Sequence, residues 1–259
     1  MDFFVNNFQV FLLIFARMVG IFFTAPLFSS GTIPLRIRAV AAVYIAACIF
    51  PMIATSFPPI PENLYGYALL IGEEAFIGIL IGFLISVIFA AFQLAARFFS
   101  FQMALGIAEV IDPLSEIGIT LVGQLWTIMG LMVFIAINGP HMLVIAGFES
   151  FQRIQIFSIA ENSKDVMTAV IDAFGAMFIV ALKLSFPILI TLLLVSVVLG
   201  LLAKAAPQMN IFMLGFPIQI GIGLLIMTVV TGAIALGMSS ALNRAFENLM
   251  TFIRAFARA

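Results

Sequence analysis

The chain has 259 residues, of which 64% are hydrophobic and 9% charged, with a formal net charge of −1 and a mean hydropathy of +1.27. A soluble globular domain carries about 45–50% apolar and about 25% charged residues. This composition therefore excludes a water-covered globule, and the near-zero charge offers no basic footprint for nucleic acid.

The start, Met1-Asp2-Phe3-Phe4, has no basic n-region. The apolar stretch after it is too long for a signal-peptide core, so it is expected to be a retained first helix. Hydropathy then divides the chain into about six apolar stretches, residues 8–28, 37–54, 68–92, 122–148, 169–202 and 211–238. Each is near or above the roughly 20 residues that span a bilayer. The expected fold is all-α, a single polytopic membrane domain of about six long, kinked helices in hairpins, with no soluble domain and no clear repeat.

Turn chemistry separates the stretches. Ser29-Ser30-Gly31-Thr32-Ile33-Pro34 ends the first, which carries Arg17 near its middle. Phe57-Pro58-Pro59-Ile60-Pro61 ends the second, with Pro51 expected to break it internally. Cys48, in this second stretch, is the only cysteine and reads as a small buried hydrophobe. The third stretch opens on Glu73 and Glu74 and contains Gly78-Ile79-Leu80-Ile81-Gly82, a spacing that lets helix backbones approach. Between the third and fourth stretches, Gly106, Ile107, Glu109, Val110, Ile111, Asp112, Pro113, Leu114, Glu116, Ile117 and Gly118 lead to Val122. Three acids, a proline and two glycines between apolar runs read either as a solvated loop or as a loop folded into the mouth of a conduit.

Asn138-Gly139-Pro140 is expected to kink the fourth stretch. The lone His141 beside it, with no second His or Cys cluster, makes no metal site. Residues 161–165 form the only strongly polar loop, and the fifth stretch that follows contains Lys183. Between the fifth and sixth lies the densest set of breakers and amides: Pro207, Gln208, Met209, Asn210, Gly215 and Pro217. In lipid, irregular backbone is tolerated only where it is buried in protein or lines a wet cavity. Gly221 and Gly223 then add a small-residue face to Gly215.

Two readings of the buried charges stand side by side. Arg17, Glu73, Glu74 and Lys183 form a proton or ion relay, or they are inter-helix ion pairs and snorkelling helix ends. Charge also defeats simple topology. Arg36, Arg38 and Arg97 favour a cytoplasmic location for their loops, which six crossings deny to Arg244, Arg254 and Arg258. One stretch therefore does not cross simply, and the fifth is long enough to be kinked or re-entrant. The 29 phenylalanines against one tryptophan and three tyrosines point to helix-on-helix packing in a larger assembly. No phosphate loop, nucleophile elbow or Ser/His/Asp set is present, so nothing supports an enzyme, and no cofactor is expected.

The block Ala206-Pro207-Gln208-Met209-Asn210 followed by Gly215-Phe216-Pro217 resembles the signature of the FliR/SctT family of type III secretion export-gate membrane proteins. Ile33-Pro34-Leu35-Arg36, Gln102-Met103-Ala104-Leu105-Gly106, and Asn138-Gly139 ahead of Ser150-Phe151 extend that likeness over essentially the whole chain. The resemblance implies a non-catalytic subunit in a helical ring with FliP and FliQ homologues. It implies a place at the centre of the flagellar basal body in the bacterial inner membrane, alongside FlhB and FlhA homologues. Unfolded export substrates pass through such a gate. The family's plug loop maps onto residues 106–122, and the resemblance implies that Met103 lies near a soft methionine constriction formed chiefly by the FliP partner. Two other function classes remain open on the residues alone: a small-solute secondary transporter, which calls for internal repeats and a midplane ion site, and a membrane scaffold.

Overall fold

The structure, a computed structural model, describes residues 2–29, 33–54, 57, 60–61, 63–103, 105, 121–154, 162–208 and 210–255. Eight helices account for nearly all of them: α1 (Asp2–Thr24), α2 (Pro26–Ser29), α3 (Leu35–Ile53), α4 (Leu64–Gln102), α5 (Leu121–Ala136), α6 (Gly139–Arg153), α7 (Ser163–Ala205) and α8 (Ile211–Ala255). The protein is an all-α polytopic membrane protein. Five helices are long and apolar enough to cross a bilayer, or six spans exist if the bent pair α5–α6 is one of them.

Three helices outrun the apolar stretches that mark them. α4, α7 and α8 have 39, 43 and 45 residues. At 1.5 Å per residue they extend about 58, 65 and 68 Å, roughly twice the about 30 Å hydrocarbon thickness of a bilayer. α4 begins at Leu64, so Glu73 and Glu74 lie inside it and do not open it. Pro51 does not break α3, which runs through it to Ile53, and Pro187 and Pro217 likewise sit inside α7 and α8.

The break falls in the fourth stretch, where Asn138-Gly139-Pro140 places it, and not in the fifth. α5 and α6 are bent by 65°. Asn138 takes the left-handed conformation, φ 59° and ψ 33°, which asparagine tolerates better than most residues. A Cβ on Gly139 would collide with the Phe134 ring. Pro140 occupies the first turn of α6, where a missing N–H costs nothing. If the bent pair returns to its own side, five crossings remain. Arg36, Arg38, Arg153 and Arg254 of the first unit then share one side, as a cytoplasmic location for all of them requires.

The chain divides into two compact units whose boundaries lie within helices. The first comprises residues 1–87, 134–174 and 242–259. In it α1 packs on α3 and α6. Val10, Leu13, Ile14, Met18 and Ile21 of α1 are buried at helical spacing. One stripe of α4, Glu74, Gly78 and Gly82, lies on α1 so closely that the glycines admit no side chain. A Cβ on Gly78 would meet the carbonyl of Arg17, and one on Gly82 would meet Thr24 Oγ1. From the α1 side, a Cβ on Gly20 would stand 2.5 Å from the carbonyl of Ala75.

The second unit comprises residues 88–133 and 175–241. Its aromatic core packs Phe99 of α4 against Trp126 of α5, with centroids 5.0 Å apart and the rings tilted by 54°. Gly130 makes room for the Phe92 ring, which lies 2.7 Å from where its Cβ would stand. Leu184, Ile188 and Leu192 of α7 are buried in this unit, as are Ile234 and Met238 of α8.

Candidate functional site

In a helical membrane chain the positions that need an account are charges and helix breaks, because lipid satisfies neither. In the first unit, Arg17 and Glu74 face each other where the glycine stripe brings α1 and α4 together. Arg17 Nε donates to Glu74 Oε2 at 2.6 Å, and the two side chains are only 1% and 3% exposed. Arg17 Nη1 donates to Ser150 Oγ of α6 at 2.9 Å, and that hydroxyl donates to the Gly147 carbonyl at 2.6 Å. The guanidinium also lies over the Phe151 ring, 3.9 Å from its centroid, a geometry in which the ring's negative face attracts the cation. One arginine thus ties three helices, and the ion pair is closed to water. Glu73 is half-buried beside it and engaged by other groups. A second, looser group joins the ends of α6 and α8, where Glu149 Oε2 stands 3.6 Å from Arg153 Nε and 3.9 Å from Arg254 Nε.

Lys183 belongs to the second unit, exposed on α7. Met103, at the end of α4 in the same unit, is fully buried. Its Cγ, Sδ and Cε all lie 2.7 Å from where a Gly223 Cβ would stand, so glycine there is what lets the methionine pack on α8.

The turn between α7 and α8 is built by its amide. Asn210 Oδ1 accepts from the Met213 N–H at 3.3 Å. Its carbonyl accepts from the same N–H at 3.0 Å and from Leu214 at 3.4 Å. Asn210 is therefore the N-cap of α8, satisfying donors that the helix start leaves open. Pro207 and Gln208 are exposed in the turn, Gly215 is buried near Leu199, and Pro217 is exposed on α8. Met209 lies outside the described residues. So do Gly106, Ile107, Glu109, Val110, Ile111, Asp112, Pro113, Leu114, Glu116, Ile117 and Gly118, while Val122 is a buried residue of α5 and not part of a loop.

Two polar contacts were not foreseen from the sequence. One is the Ser150 hydroxyl on Arg17. The other joins three helices in the second unit: Gln102 and Gln219 each donate a side-chain N–H to Ser196 Oγ, at 3.5 and 3.2 Å, and Ser196 donates to the Leu192 carbonyl at 2.9 Å. The available signal was isolation, since Gln219 stands among apolar residues of α8 and Ser196 among those of α7. Among the described residues, no group of three His, Cys, Asp or Glu side chains is placed to hold a metal ion.

Residues 8–245 match the family described as bacterial export proteins, family 1. The flagellar biosynthetic protein FliR of Bacillus subtilis is 34% identical over 227 residues, 87% of each chain. The FliR of Escherichia coli is 29% identical over 219 residues, 85% of this chain and 83% of its own. That of Aquifex aeolicus is 27% identical over 251 residues, 95% and 94% of the two chains.

Proposed function

Because the chain belongs to the bacterial export proteins, family 1, we propose that it is a non-catalytic subunit of the flagellar type III protein export gate. In this reading it assembles with FliP and FliQ homologues at the centre of the flagellar basal body in the inner membrane, next to FlhB and FlhA homologues. Unfolded flagellar subunits cross the membrane through the conduit that this gate forms. The observation that carries the reading is the likeness to flagellar FliR proteins over most of both chains, 34% identity across 87% of each in one case.

Two physical features support it. α4, α7 and α8 are about twice as long as a bilayer requires, as expected of helices that continue into a protein assembly outside the hydrocarbon. The apolar windows of α7 and α8 are only 17% and 11% buried within the chain, so most of their surface is left for lipid or partner helices. Residues 106–120 are proposed as the closure of the conduit, their apolar side chains excluding water when no cargo is present.

Co-expression with the FliP and FliQ homologues of the same genome tests the assembly. The chain is expected to elute with both in one stoichiometric complex, and to aggregate when expressed alone in detergent. Elution as a folded monomer apart from both partners would contradict the reading.

A further inference from the structure

Lys183 stands near the middle of α7, and the helix is divided around it. Ala181, Leu184, Ile188 and Leu192 are buried and, at about 100° per residue, share one side. Ile179, Phe186, Ile190, Leu194 and Val197 occupy the opposite side and are 43–59% exposed. Lys183 lies within that outward stripe, exposed, and no charged residue follows it until Lys204. At the edge of the same stripe, Gly175 and Gly200 have nothing within 4 Å of where a Cβ would stand. Glycine weakens a helix interior, and no described side chain uses the room these two leave.

Each simple cover for this surface leaves something unsatisfied. Water would meet a long apolar stripe. Lipid would take up the stripe but leave an ammonium among hydrocarbon chains. A helix with an apolar face and one carboxylate satisfies both, and the two open glycines allow its backbone to come close.

We propose that a helix from another membrane chain docks along the Ile179–Val197 stripe of α7 and sets an aspartate or glutamate against the Lys183 ammonium. The proposal rests on the gate-subunit reading and names the chemistry of one of its contacts. It gives Lys183 the part of an assembly contact and not of a proton carrier.

The test uses the co-expressed complex with the FliP and FliQ homologues. Lys183→Met leaves a partner carboxylate buried without its cation and is expected to lower the yield of complex at least about tenfold. Lys183→Glu is expected to abolish it and Lys183→Arg to preserve it. The amount of each variant chain in the membrane should stay at the wild-type level, because position 183 is exposed within the chain. A lysine facing lipid or a wet conduit gives the opposite result for Lys183→Met, an unchanged or higher yield, and that outcome overturns the proposal. If Lys183→Glu reduces the chain itself, Lys183→Met still decides. Failure of the wild-type chain to join the complex is a separate outcome, which overturns the gate reading and this proposal with it.

Discussion

Replacing Glu74 with alanine is expected to be among the most damaging single substitutions in this protein. It leaves the Arg17 guanidinium in a site that is 1% exposed, with its carboxylate partner gone. Removing one member of a buried ion pair costs about 3–5 kcal/mol, a large fraction of the about 5–15 kcal/mol that holds a typical domain together. The Ser150 hydroxyl and the Phe151 ring remain, but neither neutralises the charge. The double substitution Arg17→Met with Glu74→Leu removes both charges and keeps volume, so it is expected to be milder than Glu74→Ala alone. The measurement is the temperature at which half of the purified complex is lost, for each single variant and the pair. Additive losses, or no loss at Glu74→Ala, would show that the pair does not hold α1, α4 and α6 together. Ser150→Ala breaks a single hydrogen bond to a charged group and is expected to cost about 1–3 kcal/mol.

Gly78→Leu is expected to have an effect of similar size by a different route. Its first side-chain atom would fall on the backbone carbonyl of Arg17, with the Arg17 Cα 3.1 Å away. Backbone cannot swing aside as a flexible side chain does, so α1 and α4 must separate. The loss should exceed the about 1–3 kcal/mol typical of overpacking. Separation also draws Glu74, one turn earlier on the same stripe, away from Arg17. Gly72→Ala is the control. It lies in the same helix with nothing within 4 Å of its Cβ position, and alanine is about 1 kcal/mol better than glycine in a helix interior. Folded protein recovered from membranes should fall sharply for Gly78→Leu and hold or rise for Gly72→Ala. Equal recovery of the two would mean that the α1–α4 contact is looser than the structure has it.

That the chain carries helices long and apolar enough to cross a membrane was legible, because uncharged apolar runs of bilayer length are rare in chains that fold in water. Helix ends were not legible from the same signal, since hydropathy measures oiliness and a helix continues wherever its backbone bonds do. α8 runs on from Met238 through Arg244, Glu247 and Arg254 to Ala255, well past the last apolar window. The kink at Asn138-Gly139-Pro140 could be read because each residue has a stated reason to stop a helix. The length of the fifth stretch misled, because α7 carries Pro187 inside a continuous helix. Arg17 and Glu74 could each be singled out as charges out of place. Their pairing could not, because 57 residues separate them and the sequence gives no distance. Asn210 was readable as an amide among breakers, but its role as the cap of α8 needed the hydrogen bond that its side chain accepts from the Met213 N–H. The face of α7 that carries Lys183 needed the fold, since apolar residues surround the lysine on every side in sequence and only burial divides them.

Deleting the gene and measuring hook and filament proteins in the culture medium shows whether this chain is a working part of a protein export gate. Both are expected to disappear from the medium while their synthesis inside the cell continues, and a plasmid-borne copy is expected to restore them. Normal amounts of hook and filament proteins outside the deleted cells would contradict it.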